Sequence, residues 1–278
     1  MISEFMGIEY GHGACAVPRD DGPSLAPRAV QNMFPDAHWT MITPDYVDIE
    51  TCMLDRFAEN TPVQRLIYDN TPTTKHIMIG GDHSVNFGHF AALSDRMGVK
   101  DLCLVYIDAH FDIHTPETSK REATGSPHGC NVHALLGDGD ARWMAIPKHA
   151  PLLRPENLFY IGIRSFEPAE QKYVNEQNIF VRYANELQSA DAVRDAIELV
   201  RGKIAGRPLV VSFDFDCIDP KYFPDVLVPE QNGLSLDSAR TLVTAFRDAY
   251  NFEFVEYAPH GDQESAAIVH DLIKIAMG

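Results

Sequence analysis

Aspartate and histidine crowd into three short strings of this 278-residue chain: GGDHS at 80–84, DAHFD at 108–112 and SFDFDCIDP at 212–220. Together these supply two imidazoles and four carboxylates, from His83, Asp108, His110, Asp112, Asp214 and Asp216. That is a ligand set for two hard divalent ions. So much oxygen favours octahedral, Mn²⁺-like ions over a tetrahedral zinc site, which would lean more on His and Cys. Four carboxylates against two divalent ions are formally neutral, and water held between such ions ionises near neutral pH to become a nucleophile. One string alone reads equally well as helix-capping acids and a core histidine. Three in order, each closing an apolar β-rich run, predict metal-assisted hydrolysis.

The elements that must carry these residues follow from the periodicity. Apolar, β-rich runs occupy 76–79, 102–107, 158–163, 179–182, 209–213 and 252–255. Helical spacing appears after Ser189, a candidate N-cap, with Val193, Ile197, Val200 and Ile204 on one face. It recurs over 236–250 and from 263 to the end. Strand–helix alternation predicts a three-layer α/β/α fold around a central, mainly parallel sheet. Runs such as LCLVYI are apolar at nearly every position, as strands buried on both faces are. No linker or repeat divides the chain, so residues 1–278 are expected to form one domain. Ligands of such sheets bind beyond the carboxyl ends of the strands, where Asp108, Asp214 and the GGDH string would converge. Asp108, His110 and Asp112 stand at i, i+2 and i+4, which in extended backbone puts them on one side.

Composition narrows the partners. A net charge of −17 disfavours nucleic acid and anionic membranes and suits a cationic substrate. No apolar run approaches the roughly 20 residues that span a bilayer. The N-terminal residues lack a secretory pattern, so a cytoplasmic location is expected. Five scattered cysteines without a CxxC pair argue against a disulfide framework and a structural zinc site.

Among two-metal hydrolases, a metallophosphoesterase would need a GNHD/E string and a late GHxH, and neither is present. The three strings closely resemble the signatures GGDHS, DAHxD and SFDxDxxDP of the ureohydrolase family of arginases and agmatinases, over nearly the whole chain. The early segment VPRDDGPSLAPRAV matches more weakly. The resemblance implies an arginase-like fold, two Mn²⁺ per chain (Ni²⁺ or Co²⁺ could use the same ligands), and a trimeric or hexameric homo-oligomer. It also implies attack of a metal-activated water on the carbon of a small cationic guanidino substrate, giving urea and an amine. The leaving amine must be protonated. Of His128 and His133, the string TGSPHGCNVHALL at 124–136 aligns His128-Gly129 with the family's catalytic His-Gly. Glu256, in FVEYAP and followed by Pro259, matches the family glutamate that pairs with the guanidinium. Asp112 is carried over as both ligand and catalytic residue.

Residues that would hold the substrate's tail depart from the arginase pattern. His114 replaces the asparagine used against an α-carboxylate. Thr124 and Ser126 stand in the Ser-Gly-Asn triplet, Ser126 in place of its amide. Glu167 replaces the aspartate that accepts an α-amino group, and Leu227-Val228-Pro229 replaces Gly-Thr-Pro. The loop with Lys120, Arg121 and Glu122 is longer. L-Arginine is the first expectation, with agmatine or a guanidino acid as alternatives. A catalytically silent metal-binding relative is a second class of reading, although such proteins usually lose a ligand or the proton shuttle.

Overall fold

The computed structural model describes residues 2–14, 22–45, 55–98, 102–119 and 126–278. Thr124, the 120–122 loop, Cys15, Cys52 and part of the early Gly-Pro…Arg segment lie outside them. Eight strands form one all-parallel sheet: β1 (Glu4–Ile8), β2 (His38–Ile42), β3 (Ile77–Ile79), β4 (Cys103–Ile107), β5 (Leu158–Ile163), β6 (Phe180–Tyr183), β7 (Leu209–Asp214) and β8 (Asn251–Val255), in the order β2-β1-β3-β8-β7-β4-β5-β6. The expected three-layer α/β/α architecture is therefore present.

Alternate residues of each strand feed two cores. On one face, Cys103, Val105 and Ile107 pack with Phe213, Phe252 and Phe254 under α1 (Ala26–Met33) and three later helices. On the other, Leu104, Tyr106 and Val210 lie beneath α2 (Arg56–Asn70), α3 (Asn86–Met97), α4 (Asn131–Leu135) and α5 (Pro168–Glu176). Each large apolar side chain so buried is worth about 1.5–3 kcal/mol relative to exposure. The helices completing the first face are α6 (Ala190–Ile204), α7 (Leu236–Phe246) and α8 (Gln263–Met277). Ser189 caps α6 by accepting from the Ala192 amide, as its sequence position suggests. Among the described residues no helix is long and apolar enough to cross a membrane, and Cys103, Cys130 and Cys217 are buried.

Four differences from the sequence reading have physical causes. Strands β1 and β2 escape a hydrophobicity scan because β1 carries Glu4 and Gly7 and β2 is a half-exposed edge strand. Helix α3 is buried all round from Asn86 to Ser94, so it has no polar face to reveal its period. Helix α7 stops at Phe246, before the expected 250, because the Tyr250 amide is captured by the Leu209 carbonyl at the entry to β8. The extended-backbone argument for the aspartates also fails: Asp108 follows the last residue of β4 and Asp112 has a left-handed φ of 50°. Turns, not strand pleat, bring these carboxylates together.

The loop after β3 is pressed against the chain after β1. The Asp82 amide donates to the Tyr10 carbonyl at 3.0 Å, and a Cβ on Gly81 would lie 1.8 Å from that same oxygen. Gly81→Ala is expected to destabilise the fold by about 1–3 kcal/mol, the usual cost of overpacking. Urea unfolding measures this; an unchanged midpoint would show that the loop relaxes freely.

Candidate metal centre

Four central strands, β3, β8, β7 and β4, lie side by side, and each ends in site residues. His83 follows β3, Glu256 follows β8, Asp214 and Asp216 close β7, and the 108–112 string follows β4. His83 Nδ1 lies 3.0 Å from Asp108 Oδ2, 3.3 Å from Asp112 Oδ2 and 3.1 Å from Asp214 Oδ2. His110 Nδ1 lies 2.9 Å from Asp216 Oδ2 and 3.5 Å from Asp108 Oδ1. Two ligand clusters result, His83-Asp108-Asp112 and Asp108-His110-Asp216, each with its donor atoms within 4.8 Å of one another. Asp108 belongs to both, one oxygen turned to each. Its Oδ2 is buried and has no hydrogen donor in bonding geometry despite its closeness to His83. An orphaned oxygen on a carboxylate shared by two imidazole–carboxylate clusters fits a pair of divalent cations.

Backbone amides set the orientation of the carboxylates. Asp108 accepts from the His110 amide at 2.6 Å, Asp214 from the Asp216 amide at 2.8 Å, and Asp216 from the Ala109 amide at 3.1 Å. The far nitrogens of both histidines are also engaged. His83 Nε2 meets Ser212 Oγ at 2.9 Å, and His110 Nε2 lies 3.6 Å from Glu230, which accepts from the Ser165 hydroxyl. Such outer partners orient metal-binding imidazoles. Asp112 and Glu256 both hold left-handed backbone, at φ 50° and 63°, a strain that clusters at functional sites.

Electrostatics show how strongly this arrangement wants positive charge. Burial, then the neighbouring Asp108, pushes Asp112 up to about 7. Burial followed by Asp216 and Asp108 drives Asp214 well above the carboxylate range. For His83, burial opposes protonation but Asp108 and Asp214 outweigh it. For His110, burial is likewise outweighed, here by Asp216 and Asp108, and both imidazoles are held well above their ordinary value. Without cations, protons fill the cluster.

The pocket above it is lined by His110, Asp112, Asp214 and Asp216 at its floor, with His128 and Glu256 beside them. His128 Nδ1 lies 3.3 Å from the Gly13 carbonyl and so carries the hydrogen, leaving Nε2 free to take up and pass on a proton. Gly13 is itself held by the buried Asp82, which accepts its amide at 2.7 Å. Burial lowers the His128 pKa, and Asp82 partly offsets that. Glu256 Oε1 accepts from the His83 amide at 2.8 Å, and burial followed by Asp82 raises its pKa well above the ordinary value. His133 is buried against Tyr173, away from this pocket.

At the pocket's outer wall, His114 Nε2 donates to Glu167 Oε2 at 2.8 Å, while Glu170 accepts the Glu167 and Ile113 amides. Burial and then the Glu167 contact push Glu170 up to about 9. Leu227 and Val228 also line the wall. Ser126 is buried, 2% exposed, and is not among the lining residues.

Sequence reasoning missed Tyr106, Glu230, Ser212 and Glu170. Tyr106 stacks on the His83 ring at 4.4 Å and donates to Asp112 Oδ2 at 2.7 Å. A signal existed: Tyr106 lies two residues before Asp108, within a strand buried at every position, and its hydroxyl needs a buried partner. Glu230 and Glu170 carried no local signal, because only the fold brings them near His110 and Ile113.

An all-parallel α/β sheet with a two-cluster carboxylate–imidazole centre at its carboxyl rim is the class defined here. Residues 15–277 match the profile of the Arginase family, and the chain belongs to that family. Among its relatives is an arginase of Neurospora crassa, 32% identical over 168 residues, covering 58% of this chain and 46% of that protein. The chain spans about half the length of the first curated relatives it matches. The arginase of Entamoeba histolytica, crystallised with L-ornithine, superposes with a TM-score of 0.84 at 22% identity, covering 100% of this chain and 99% of that one. A formimidoylglutamase of Bacillus subtilis superposes at 0.75 and 16% identity, covering 100% and 86%. The fold is thus shared by proteins named for different substrates.

Metal binding must displace the protons held by His83 and His110. Affinity for Mn²⁺ is therefore expected to rise with pH, with net proton release on binding. Calorimetric titrations in buffers of different ionisation enthalpy read the released protons. Affinity independent of pH would contradict this protonation pattern.

Proposed function

We propose that this protein is a binuclear ureohydrolase that cleaves a guanidino compound into urea and an amine, with L-arginine to L-ornithine as the foremost reaction. One observation carries the reading: the two ligand clusters, Glu256 and His128 all converge on one pocket. Two Mn²⁺ held by His83, Asp108, His110, Asp112, Asp214 and Asp216, with Ni²⁺ or Co²⁺ as alternatives, would supply a water acidified to near neutral pH. That nucleophile suits a guanidinium carbon, which resonance makes a poor electrophile.

The chain's own residues do the rest. Glu256, held at the pocket wall by the His83 amide, would pair with the guanidinium through a charge-assisted bond. A cation there restores its carboxylate. His128 keeps Nδ1–H on Gly13, so Nε2 can deliver a proton to the departing amine. Asp112 faces the same space; the raised pKa of about 7 that it has without cations would give way to the ionised carboxylate on metal binding, so its part in the reaction would be that of a ligand. A homo-oligomer, trimer or hexamer, belongs to this reading through the family.

A second reading, a guanidino acid as substrate, is favoured by the outer wall, whereas agmatine, whose tail keeps an amine and has no carboxylate, gains no support from it. The Glu167 carboxylate already accepts from His114, so an α-amino group would have to share it. A tail carrying a carboxylate could instead meet His114. The silent-relative reading has no comparable support, since every ligand and His128 are present.

Urea release should be measured with Mn²⁺ on arginine, agmatine, guanidinobutyrate and guanidine. Urea from arginine at the highest kcat/KM is expected, and none from any of the four overturns the ureohydrolase reading. His128→Asn should keep both ions and lose about 10²–10⁴ in turnover; full activity would move the proton-transfer role elsewhere.

A further inference from the structure

A third group of ligand-type side chains stands on the outer wall of the pocket, apart from the two clusters of the metal centre. It joins His114, from the loop after β4, to Glu167 and Glu170 at the start of α5. His114 Nε2 lies 2.8 Å from Glu167 Oε2 and 3.6 Å from Glu170 Oε2. The three donor atoms fall within 4.8 Å of one another. The metal centre sets the scale for this spacing. There, imidazole nitrogens and carboxylate oxygens lie 2.9 to 3.5 Å apart.

Backbone contacts set the group in place. The His114 amide donates to the Gly129 carbonyl at 2.9 Å, and the Ile113 amide to Glu170 Oε1 at 3.2 Å. Glu170 Oε2 accepts from the Glu167 amide at 3.0 Å, which ties both acids to the first turn of α5. The second ring nitrogen of His114 lies 3.1 Å from Thr118 Oγ1. That contact turns Nε2 toward the acids, as outer partners orient metal-binding imidazoles. His114 and Glu170 are buried, so two carboxylates and an imidazole share a place with little water. Helix capping accounts for Glu170 alone. It requires neither a second carboxylate nor an imidazole aimed at the same point. A cation among them relieves the repulsion between the acids.

We propose that His114, Glu167 and Glu170 form a third divalent-cation site, of the Zn²⁺ class, on the outer wall of the pocket. One imidazole and two carboxylates make a three-ligand set for a four-coordinate zinc, with one position left for water. The oxygen-rich centre at the pocket floor suits Mn²⁺. At a small site with a nitrogen donor, Zn²⁺ binds more tightly than Mn²⁺. All three residues line the pocket, so the remaining position opens toward the space above the metal centre. A bound ion would stand where the substrate's tail is proposed to lie, attracting a carboxylate and repelling an ammonium group. The site itself does not depend on the ureohydrolase reading.

The test equilibrates the Mn²⁺-loaded protein with a modest excess of Zn²⁺ by dialysis, then counts both metals per chain by plasma mass spectrometry. Wild type is expected to keep two Mn²⁺ and gain one Zn²⁺. His114→Asn and Glu167→Gln should keep their Mn²⁺ and bind this Zn²⁺ at least about 10-fold more weakly, a loss no smaller than that for an outer partner. Neither substitution enlarges a side chain on the wall, and if one variant does not fold the other decides. No Zn²⁺ gained by wild type overturns the third site. So does Zn²⁺ gained only in exchange for Mn²⁺, or held as tightly by the folded variants as by wild type. A wild-type protein that takes up no Mn²⁺ overturns the metal-centre reading instead.

Discussion

Everything at the carboxyl rim of this sheet answers to one repulsion, that among four carboxylates buried together. At separations of about 4–5 Å and an effective dielectric near 20, each pair of charges costs roughly 3–4 kcal/mol. No fold holds four such groups ionised without positive charge among them. In the metal-free chain the protons of His83 and His110 and the raised pKa of Asp112 and Asp214 provide part of it. Two divalent ions would provide it fully. The family membership and the two ligand clusters are therefore two views of the same electrostatic constraint.

Strand order turns that constraint into a site. Strands β3 and β4 are consecutive in sequence yet separated in the sheet by β8 and β7. Because late segments are wedged between early ones, Asp214, Asp216 and Glu256 arrive between His83 and Asp108. Backbone amides then aim the carboxylates, and left-handed turns at Asp112 and Glu256 swing two further acids into the pocket. The support beneath comes from the central strands, which are buried on both faces.

In the proposed reaction, chemistry and specificity would be separated in space. The guanidinium end would rest on strand ends and on the Asp82–Gly13–His128 support. The tail end would rest on a loop and on the start of α5, where His114 and Glu167 pair. Loop-borne residues change without disturbing the sheet, which agrees with this wall carrying the departures from the arginase pattern.

His128 was singled out for proton transfer only by the resemblance of its flanking residues to the family pattern, a role that stands as a proposal. Residue type and spacing determined which side chains could bind metal and that strands alternate with helices in one parallel layer. These are properties of residue type and short spacing, and they are legible because a ligand's chemistry is intrinsic to its side chain. The tertiary structure decided the rest. It set the insertion of β7 and β8 between β3 and β4 and the turn geometry that replaced a supposed strand pleat at Asp108–Asp112. It brought Tyr106 onto His83, Glu230 to His110 and His89 to Glu253. Those partnerships join residues as far as 164 positions apart, as His89 and Glu253 are. No local period records such a distance, because it is fixed only when the whole chain packs.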